Sequence, residues 1–163
     1  MSEEHHIETI ARGVCVVDGK VLLCLPKDRS YAYLPGGHIE FGETGRVALV
    51  REMKEETGLD ATAGELLGVV ESSFVQKGEM HCEINLIYEM KVRGCGGEKV
   101  RSLEEWICFE WADCDKISSV NLLPGEMKKY CLDAGKVGKI DKTDKIDKIG
   151  KTDKIDKIDK ADS

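Results

Sequence analysis

One stretch of sequence decides the fold: Gly37-His-Ile-Glu-Phe-Gly-Glu43-Thr-Gly-Arg-Val-Ala-Leu-Val-Arg51-Glu52-Met53-Lys54-Glu55-Glu56-Thr57-Gly58-Leu59. Its second half has the spacing of a helix, because Val47, Val50 and Met53 recur every three residues. Thr44 can cap the first turn and Gly58 can end the last one. We therefore predict a helix over residues 44–57.

Three glutamates share one face of this predicted helix. Glu52, Glu55 and Glu56 stand at i, i+3 and i+4, so their carboxylates lie within one turn and repel one another. Such a turn is usually a solvated face, and that interpretation stays open at this point. The helix is entered through Gly36-Gly37, however, where the backbone can approach a bound ion or phosphate closely. Mg²⁺ prefers oxygen ligands and completes its shell with substrate phosphates, so the residues suggest a magnesium-dependent site for a polyphosphate.

Strand-like and helix-like segments alternate on both sides of this stretch. Asp18-Gly19 is a strong two-residue hairpin signal between two of them. The predicted strands cover residues 9–17, 20–25, 31–34, 66–74, 81–92 and 106–111, and a last helix is predicted over 124–132. Sheet segments divided by one helix and closed by another predict an α/β (α+β) fold with a mixed sheet between helices.

The charge of the chain is unevenly distributed. The 163 residues include 24 Lys+Arg and 31 Asp+Glu. Residues 136–163 hold nine Lys and seven Asp, which leaves 15 basic and 24 acidic residues in 1–135 and a net charge there near −9. A body this acidic repels a nucleic-acid backbone, so we expect no stable nucleic-acid binding. A phosphorylated small molecule would need a divalent cation to screen it from these acids.

Length and composition predict one domain over residues 1–135 and a disordered Lys-x-Asp repeat tail over 136–163. The isoleucines of the tail recur at multiples of three, so on a helix they spiral around the axis and form no apolar face. We expect deletion of 136–163 to leave activity and Tm nearly unchanged, and a large loss of either would contradict this.

The location of the protein is predicted from what its sequence lacks. The N-terminal residues are acidic where a signal peptide is basic and then apolar, and no apolar run approaches the roughly 20 residues of a membrane span. The seven cysteines have neither zinc-ligand spacing nor the pattern of a disulfide framework. We therefore expect a cytoplasmic protein with reduced thiols and no membrane contact.

The quoted stretch resembles the Nudix box of the Nudix (MutT-like) hydrolase family. The family pattern is Gly, five residues, Glu, seven residues and then Arg-Glu-apolar-x-Glu-Glu-x-Gly-apolar. The matching positions are Gly37, Glu43, Arg51, Glu52, Met53, Glu55, Glu56, Gly58 and Leu59. The likeness extends over about residues 6–133. It implies a Nudix-type α/β/α sandwich with a mixed β-sheet, and hydrolysis of a phosphoanhydride bond in a nucleoside diphosphate linked to another group.

The resemblance also implies roles for residues of the box. Glu52, Glu55 and Glu56, together with the Gly37 carbonyl, would bind the metal, which is Mg²⁺ with Mn²⁺ as a substitute. Glu52, Arg51 and Glu55 would form the catalytic set. Within it, Arg51 is expected to orient a carboxylate of the box rather than to touch the substrate.

Two further roles are implied outside the metal ligands. Glu43 would anchor its loop to the helix or make an outer contact. Glu52 is the first choice for the general base that deprotonates the attacking water. An acid in the later loop, Glu98, Glu104 or Glu105, is the alternative base, although each of the three also fits a plain surface position.

The choice between substrate classes is narrowed mainly by motifs that this sequence lacks. Tyr33, His38 and Phe74 are candidate substrate contacts, with Tyr31 as a further candidate to stack on a base. Nudix subgroups for ADP-ribose, coenzyme A and NADH carry extra Pro-rich motifs or a proline about 15 residues past the box, where this chain has Phe74 and Val75. The favoured activity is a (deoxy)nucleoside triphosphate pyrophosphohydrolase.

Two alternatives to that activity remain at this stage. One is a hydrolase of ADP-ribose, a nucleotide sugar or a modified nucleotide. The other is a non-catalytic module that senses a nucleotide without cleaving it. The expected partner in every case is a small nucleotide, and a homodimer is a further expectation.

Overall fold

The computed structural model describes residues 5–137, whose strands form two sheets. The first sheet is mixed, and its strand order is β4 (Gly36–His38), β1 (Ile7–Val14), β6 (Glu79–Val92) and β5 (Ala61–Gln76). In it β1 and β6 run parallel, whereas the other neighbours are antiparallel. The second sheet is antiparallel, with the order β2 (Val16–Val17), β3 (Lys20–Pro26) and β7 (Ile107–Asp113).

The helical segments complete the fold. Helix α1 spans Gly45–Thr57 and helix α2 covers residues 128–137. Two 3₁₀ segments, Cys114–Ser119 and Gly125–Met127, lie between β7 and α2. None of the helices within residues 5–137 is long and apolar enough to cross a membrane. The cytoplasmic location and the homodimer stay predictions.

Local signals in the sequence produce the predicted hairpin and helix. Asp18 and Gly19 both have positive φ, 50° and 76°, as a tight hairpin turn between β2 and β3 requires. The side chain of Thr44 accepts a hydrogen bond from the Val47 N–H at 3.3 Å, which caps α1. Gly58 adopts a left-handed conformation with φ 73° and ends α1. The hairpin and the helix caps are therefore confirmed.

Two strand predictions are wrong in detail. Residues 9–17 do not form one strand, because the chain leaves the first sheet at Cys15 and enters the second as β2. Residues 31–34 make only two isolated bridges, Cys24 with Tyr33 and Ala32 with Leu122. Pro35 follows directly and has no N–H to donate to a ladder, which explains why no longer strand forms there.

The C-terminal part also differs from expectation. The strand predicted over 106–111 exists as β7, but it pairs with β3 in a second sheet and not with the mixed sheet. The last helix begins at 128, after a 3₁₀ turn at 125–127, and continues to 137, the end of the described residues. The remainder of the predicted tail, 138–163, lies outside the described residues.

Helices lie on both faces of the mixed sheet. Helix α1 buries Ala48, Leu49 and Met53 in a core cluster against one face. On the other face, Cys131 of α2 is buried in a second cluster that contains Ile87 of β6. The predicted α/β/α arrangement around a mixed sheet is confirmed.

Candidate active site

A cavity of about 870 Å³ is lined by residues of α1, of all four strands of the mixed sheet and of the segments around residues 31–33 and 123–126. It brings together residues that are far apart in the sequence. Those that matter for its chemistry are Arg12, Tyr31, Tyr33, Gly37, His38, Glu52, Glu56, Phe74 and Glu83. Three of the four predicted metal ligands and all three predicted substrate contacts thus share one cavity.

The Glu52 carboxylate packs directly on the backbone of Gly37. A Cβ added at Gly37 would lie 2.3 Å from the carboxyl carbon of Glu52, far inside van der Waals contact. Any side chain at position 37 would therefore displace this carboxylate. The glycine of the motif is explained by this close approach between β4 and α1.

Arg51 connects the loop before α1 to the helix through several hydrogen bonds. Its Nε and Nη2 donate to the two carboxylate oxygens of Glu43 at 2.6 and 3.0 Å. Nη1 donates to Glu52 at 3.0 Å and to Glu55 at 3.2 Å, and Nη2 also donates to the His38 carbonyl at 3.0 Å. The hydrogen bond to Glu43 is the main reason that the pKa of Arg51 is raised. Arg51 thus contacts acids of the box, and its hydrogen bonds to Glu43 join the loop before α1 to the helix.

The carboxylate of Glu56 is not fully hydrogen-bonded. Its Oε2 is buried and has no hydrogen-bond partner within residues 5–137. Burial, followed by the nearby charge of Glu52, raises the pKa of Glu56 to about 7. A buried carboxylate with a free oxygen next to a second carboxylate is a donor set that fits a hard divalent cation.

The carboxylates are not already grouped around a common point. Within residues 5–137, no set of three or more His, Cys, Asp or Glu side chains has a ready metal-binding arrangement. The reason is visible at Arg51, which holds both Glu52 and Glu55 in hydrogen bonds, while the Glu55 side chain is 56% exposed. These two side chains would have to turn from Arg51 to join Glu56 on an ion.

The three alternative bases occupy different environments. The loop that carries Glu104 is tied to the end of α1, because the Leu103 N–H donates to the Glu56 carbonyl at 2.7 Å. Glu104 contributes to the raised pKa of Glu56. Glu98 is exposed and accepts from the Gly96 N–H at 2.6 Å, and Glu105 is exposed. Of these three acids, Glu104 has the closest electrostatic link to the box.

The cavity is also lined by aromatic and polar side chains. The rings of Tyr31 and Tyr33 lie 6.0 Å apart, and Phe74 stacks on His81 with centroids 5.2 Å apart. His38 is exposed, with Nε2 3.6 Å from the Glu8 carboxylate. Tyr33, His38 and Phe74 therefore line the cavity from different strands and loops.

Sequence reasoning missed three residues of the cavity and its floor: Arg12, Glu83 and Asn85. Arg12 lies on β1 between buried residues, and Asn85 is fully buried on β6. A polar residue inside an otherwise apolar strand was the available signal, because such a residue needs a buried hydrogen-bond partner.

The chain is similar in sequence to known proteins of one family. A profile of the NUDIX domain matches residues 8–130. The chain is 27% identical over 121 residues to an uncharacterised Nudix hydrolase of Bacillus subtilis, covering 74% of this chain and 75% of the relative. Shorter matches are 43% identical over 70 residues to an ADP-ribose pyrophosphatase of Methanocaldococcus jannaschii (41% of each chain) and 44% identical over 63 residues to a CTP pyrophosphohydrolase of Escherichia coli (36% of this chain, 46% of the relative).

Solved structures show the same fold. A NUDIX hydrolase from Nitrosomonas europaea matches with a TM-score of 0.62 at 22% identity, covering 82% of this chain and 90% of the other. The match to the NUDIX profile over residues 8–130, together with this sandwich, identifies a hydrolase of the Nudix class. The chain belongs to the NUDIX domain family, and it acts on nucleoside diphosphate derivatives. Nudix hydrolases generally use divalent metal cations. The prediction of an enzyme is confirmed, in place of the nucleotide-sensing module.

Proposed function

We propose that the protein is a Mg²⁺-dependent pyrophosphohydrolase of (deoxy)nucleoside triphosphates that releases a nucleoside monophosphate and pyrophosphate. The observation that carries the proposal is the unpartnered, buried Oε2 of Glu56 beside Glu52, in a cavity that also contains aromatic side chains. The carboxylates suit a cation and phosphates. The aromatic rings suit a base, because such rings stack on bases.

Glu56, Glu52, Glu55 and the Gly37 carbonyl would hold the cation. When bound, a divalent cation neutralises the polyphosphate and lowers the pKa of a water that can attack phosphorus. Mg²⁺ is favoured because the donors are all oxygens, and Mn²⁺ accepts the same donors.

Glu52 would act as the general base. Its carboxylate packs on the backbone of Gly37 and accepts a hydrogen bond from Arg51 at 3.0 Å, beside the buried carboxylate of Glu56. It would take the proton from the attacking water as the new oxygen–phosphorus bond forms and the bond to the leaving pyrophosphate breaks. Glu104 is the alternative base, because it lies on the loop that is tied to the Glu56 carbonyl.

A second substrate class has one observation in its favour. The ADP-ribose pyrophosphatase of Methanocaldococcus jannaschii shares 43% identity over 70 residues with this chain. The same bond, a phosphoanhydride between two phosphates, would be cleaved in ADP-ribose or a nucleotide sugar. The two classes differ in what is attached to the β-phosphate.

A substrate panel separates these activities. The eight common (deoxy)nucleoside triphosphates, ADP-ribose and UDP-glucose would be incubated with enzyme and Mg²⁺, and kcat/KM measured from the released monophosphate and pyrophosphate. We expect the highest kcat/KM for a triphosphate, with pyrophosphate as the second product. A highest value for ADP-ribose or the nucleotide sugar, or orthophosphate as the product from triphosphates, would contradict the proposal.

A further inference from the structure

Four polar side chains form a connected network on the floor of the cavity. They come from three neighbouring strands: Ser72 on β5, Glu83 and Asn85 on β6, and Arg12 on β1. Ser72 Oγ and Asn85 Nδ2 both donate to Glu83 Oε2, at 3.3 and 3.2 Å. Arg12 Nε donates to Asn85 Oδ1 at 3.4 Å. Asn85 is fully buried, so its amide is fixed between an acceptor and a donor.

The network leaves Glu83 with one carboxylate oxygen for another partner. Glu83 lines the cavity, and both of its hydrogen bonds arrive at Oε2. Within residues 5–137, Oε1 accepts no hydrogen bond. Because an ionised carboxylate can only accept, this oxygen presents an acceptor of fixed position to whatever fills the cavity.

Arg12 lies between this acceptor and the carboxylates of α1. Its Nη1 donates to the Leu34 carbonyl at 3.2 Å and to the Gly36 carbonyl at 3.4 Å, and its guanidinium lies 5.1 Å from the centre of the Tyr33 ring. Burial lowers the pKa of Arg12, and the charge of Glu83 opposes this most strongly, so the guanidinium stays charged.

The strand order arranges these residues in a row along the cavity. From β4 through β1 and β6 to β5, the cavity presents Gly37 with Glu52, then Arg12, then Glu83, then Phe74. Three spacings of about 4.8 Å separate β4 from β5, and the register adds a shift along the strands, because Gly37 is level with Leu86 whereas Phe74 is level with His81. A nucleotide whose phosphates lie at the β4 side would therefore extend diagonally past Arg12 towards Glu83 and Phe74.

We infer that Glu83 is a specificity-determining residue that accepts a hydrogen bond from an exocyclic amino group of the substrate base. The inference rests on the proposed function, since it requires that nucleotides are substrates. Cytosine and adenine carry such an amino group, at N4 and N6, whereas uracil, thymine and guanine present a carbonyl oxygen at the corresponding edge. A carbonyl facing the Glu83 carboxylate would leave two acceptors opposed and unpaired, which a site built for hydrogen bonding rejects.

The test compares CTP with UTP, which differ at this position of the base. We expect kcat/KM for CTP to exceed that for UTP by about 10²-fold in the wild-type enzyme, mainly through KM. The E83Q variant has an amide that can donate to the uracil carbonyl, so the ratio should shrink to within about fivefold as the value for CTP falls and that for UTP rises. E89Q, an exposed glutamate on the same strand outside the cavity lining, should keep the wild-type ratio.

The outcomes separate this inference from the proposed function. Equal kcat/KM for CTP and UTP in the wild type, or an unchanged ratio in a folded E83Q variant, would overturn the role of Glu83 and leave the activity intact. If none of the eight triphosphates of the substrate panel is hydrolysed, the proposed function fails. Calorimetric binding of CMP against UMP to the wild-type protein then still decides the inference, because tighter binding of CMP supports it and equal binding overturns it.

Discussion

The two sides of the cavity are built in different ways. The side at α1 draws its charged groups from one contiguous stretch, and it retains an unsatisfied acid at Glu56. The floor draws its polar groups from β1, β5 and β6, and there Arg12, Asn85, Glu83 and Ser72 partner one another. A buried carboxylate oxygen without a hydrogen-bond partner, as in Glu56, suits a cation. A network in which one carboxylate oxygen of Glu83 is left over suits recognition of a substrate group. Under the proposed function, the α1 side would carry the chemistry and the floor would set the specificity.

Loss of a carboxylate on the α1 side should have the largest effect. Glu56→Gln and Glu55→Gln each remove a charge that would hold the cation, and kcat should fall by at least about 10²-fold in Mg²⁺. Glu65→Gln is the matched control, since Glu65 is exposed on β5, and it should keep the wild-type kcat. Near wild-type rates for both box variants would remove these glutamates from the site.

A smaller effect is expected from moving a carboxylate without removing it. In Gly37→Ala the new methyl group would displace the Glu52 carboxylate, and kcat should fall by roughly 10- to 10²-fold, because small displacements of reacting groups are costly. Gly125→Ala meets no atom within 4 Å and should leave kcat unchanged. Equal rates for the two variants would contradict the close approach of Gly37 and Glu52.

The smallest effect concerns the pH dependence of stability without metal. The pKa of Glu56 is raised to about 7 in the folded protein, so the folded state holds its proton more tightly than the unfolded state. As pH rises towards 8 this contribution is lost, and the metal-free protein should lose on the order of 1–3 kcal/mol relative to Glu56→Gln.

Urea unfolding in EDTA at several pH values from 5.5 to 8 would measure this difference. The stability of the wild type relative to Glu56→Gln should decline with pH, and added Mg²⁺ should restore it at pH 8. A constant difference between the two proteins across this range would show that Glu56 is not desolvated in the way that the structure indicates.

The sequence predicted those parts of the molecule that depend on nearby residues. Helix α1 follows from Thr44, Gly58 and the apolar spacing between them, and the hairpin follows from Asp18-Gly19. Helix geometry places Glu52, Glu55 and Glu56 on one face of α1, but residue spacing does not bring the three carboxylates to one point, because Arg51 holds Glu52 and Glu55.

The parts that sequence reasoning missed depend on distant residues. Nothing local to Cys15 shows that the chain changes sheets there, and the pairing of β7 with β3 is a choice between two available sheet edges. Arg12 and Asn85 are 73 positions apart and become neighbours only because β1 pairs with β6. The floor of the cavity could therefore not be assembled from one sequence, although its buried polar residues were visible.

The most direct test of the account is nucleotide affinity with and without a cation. Calorimetry with a CTP analogue that carries an α,β-methylene bridge, which the enzyme cannot cleave there, would be run in Mg²⁺ and in EDTA. We predict that EDTA weakens binding by about 10- to 10²-fold, because the acids of α1 then face the phosphates without a cation between them. Equal affinity in Mg²⁺ and EDTA would contradict the central claim that these glutamates form a cation-dependent phosphate site.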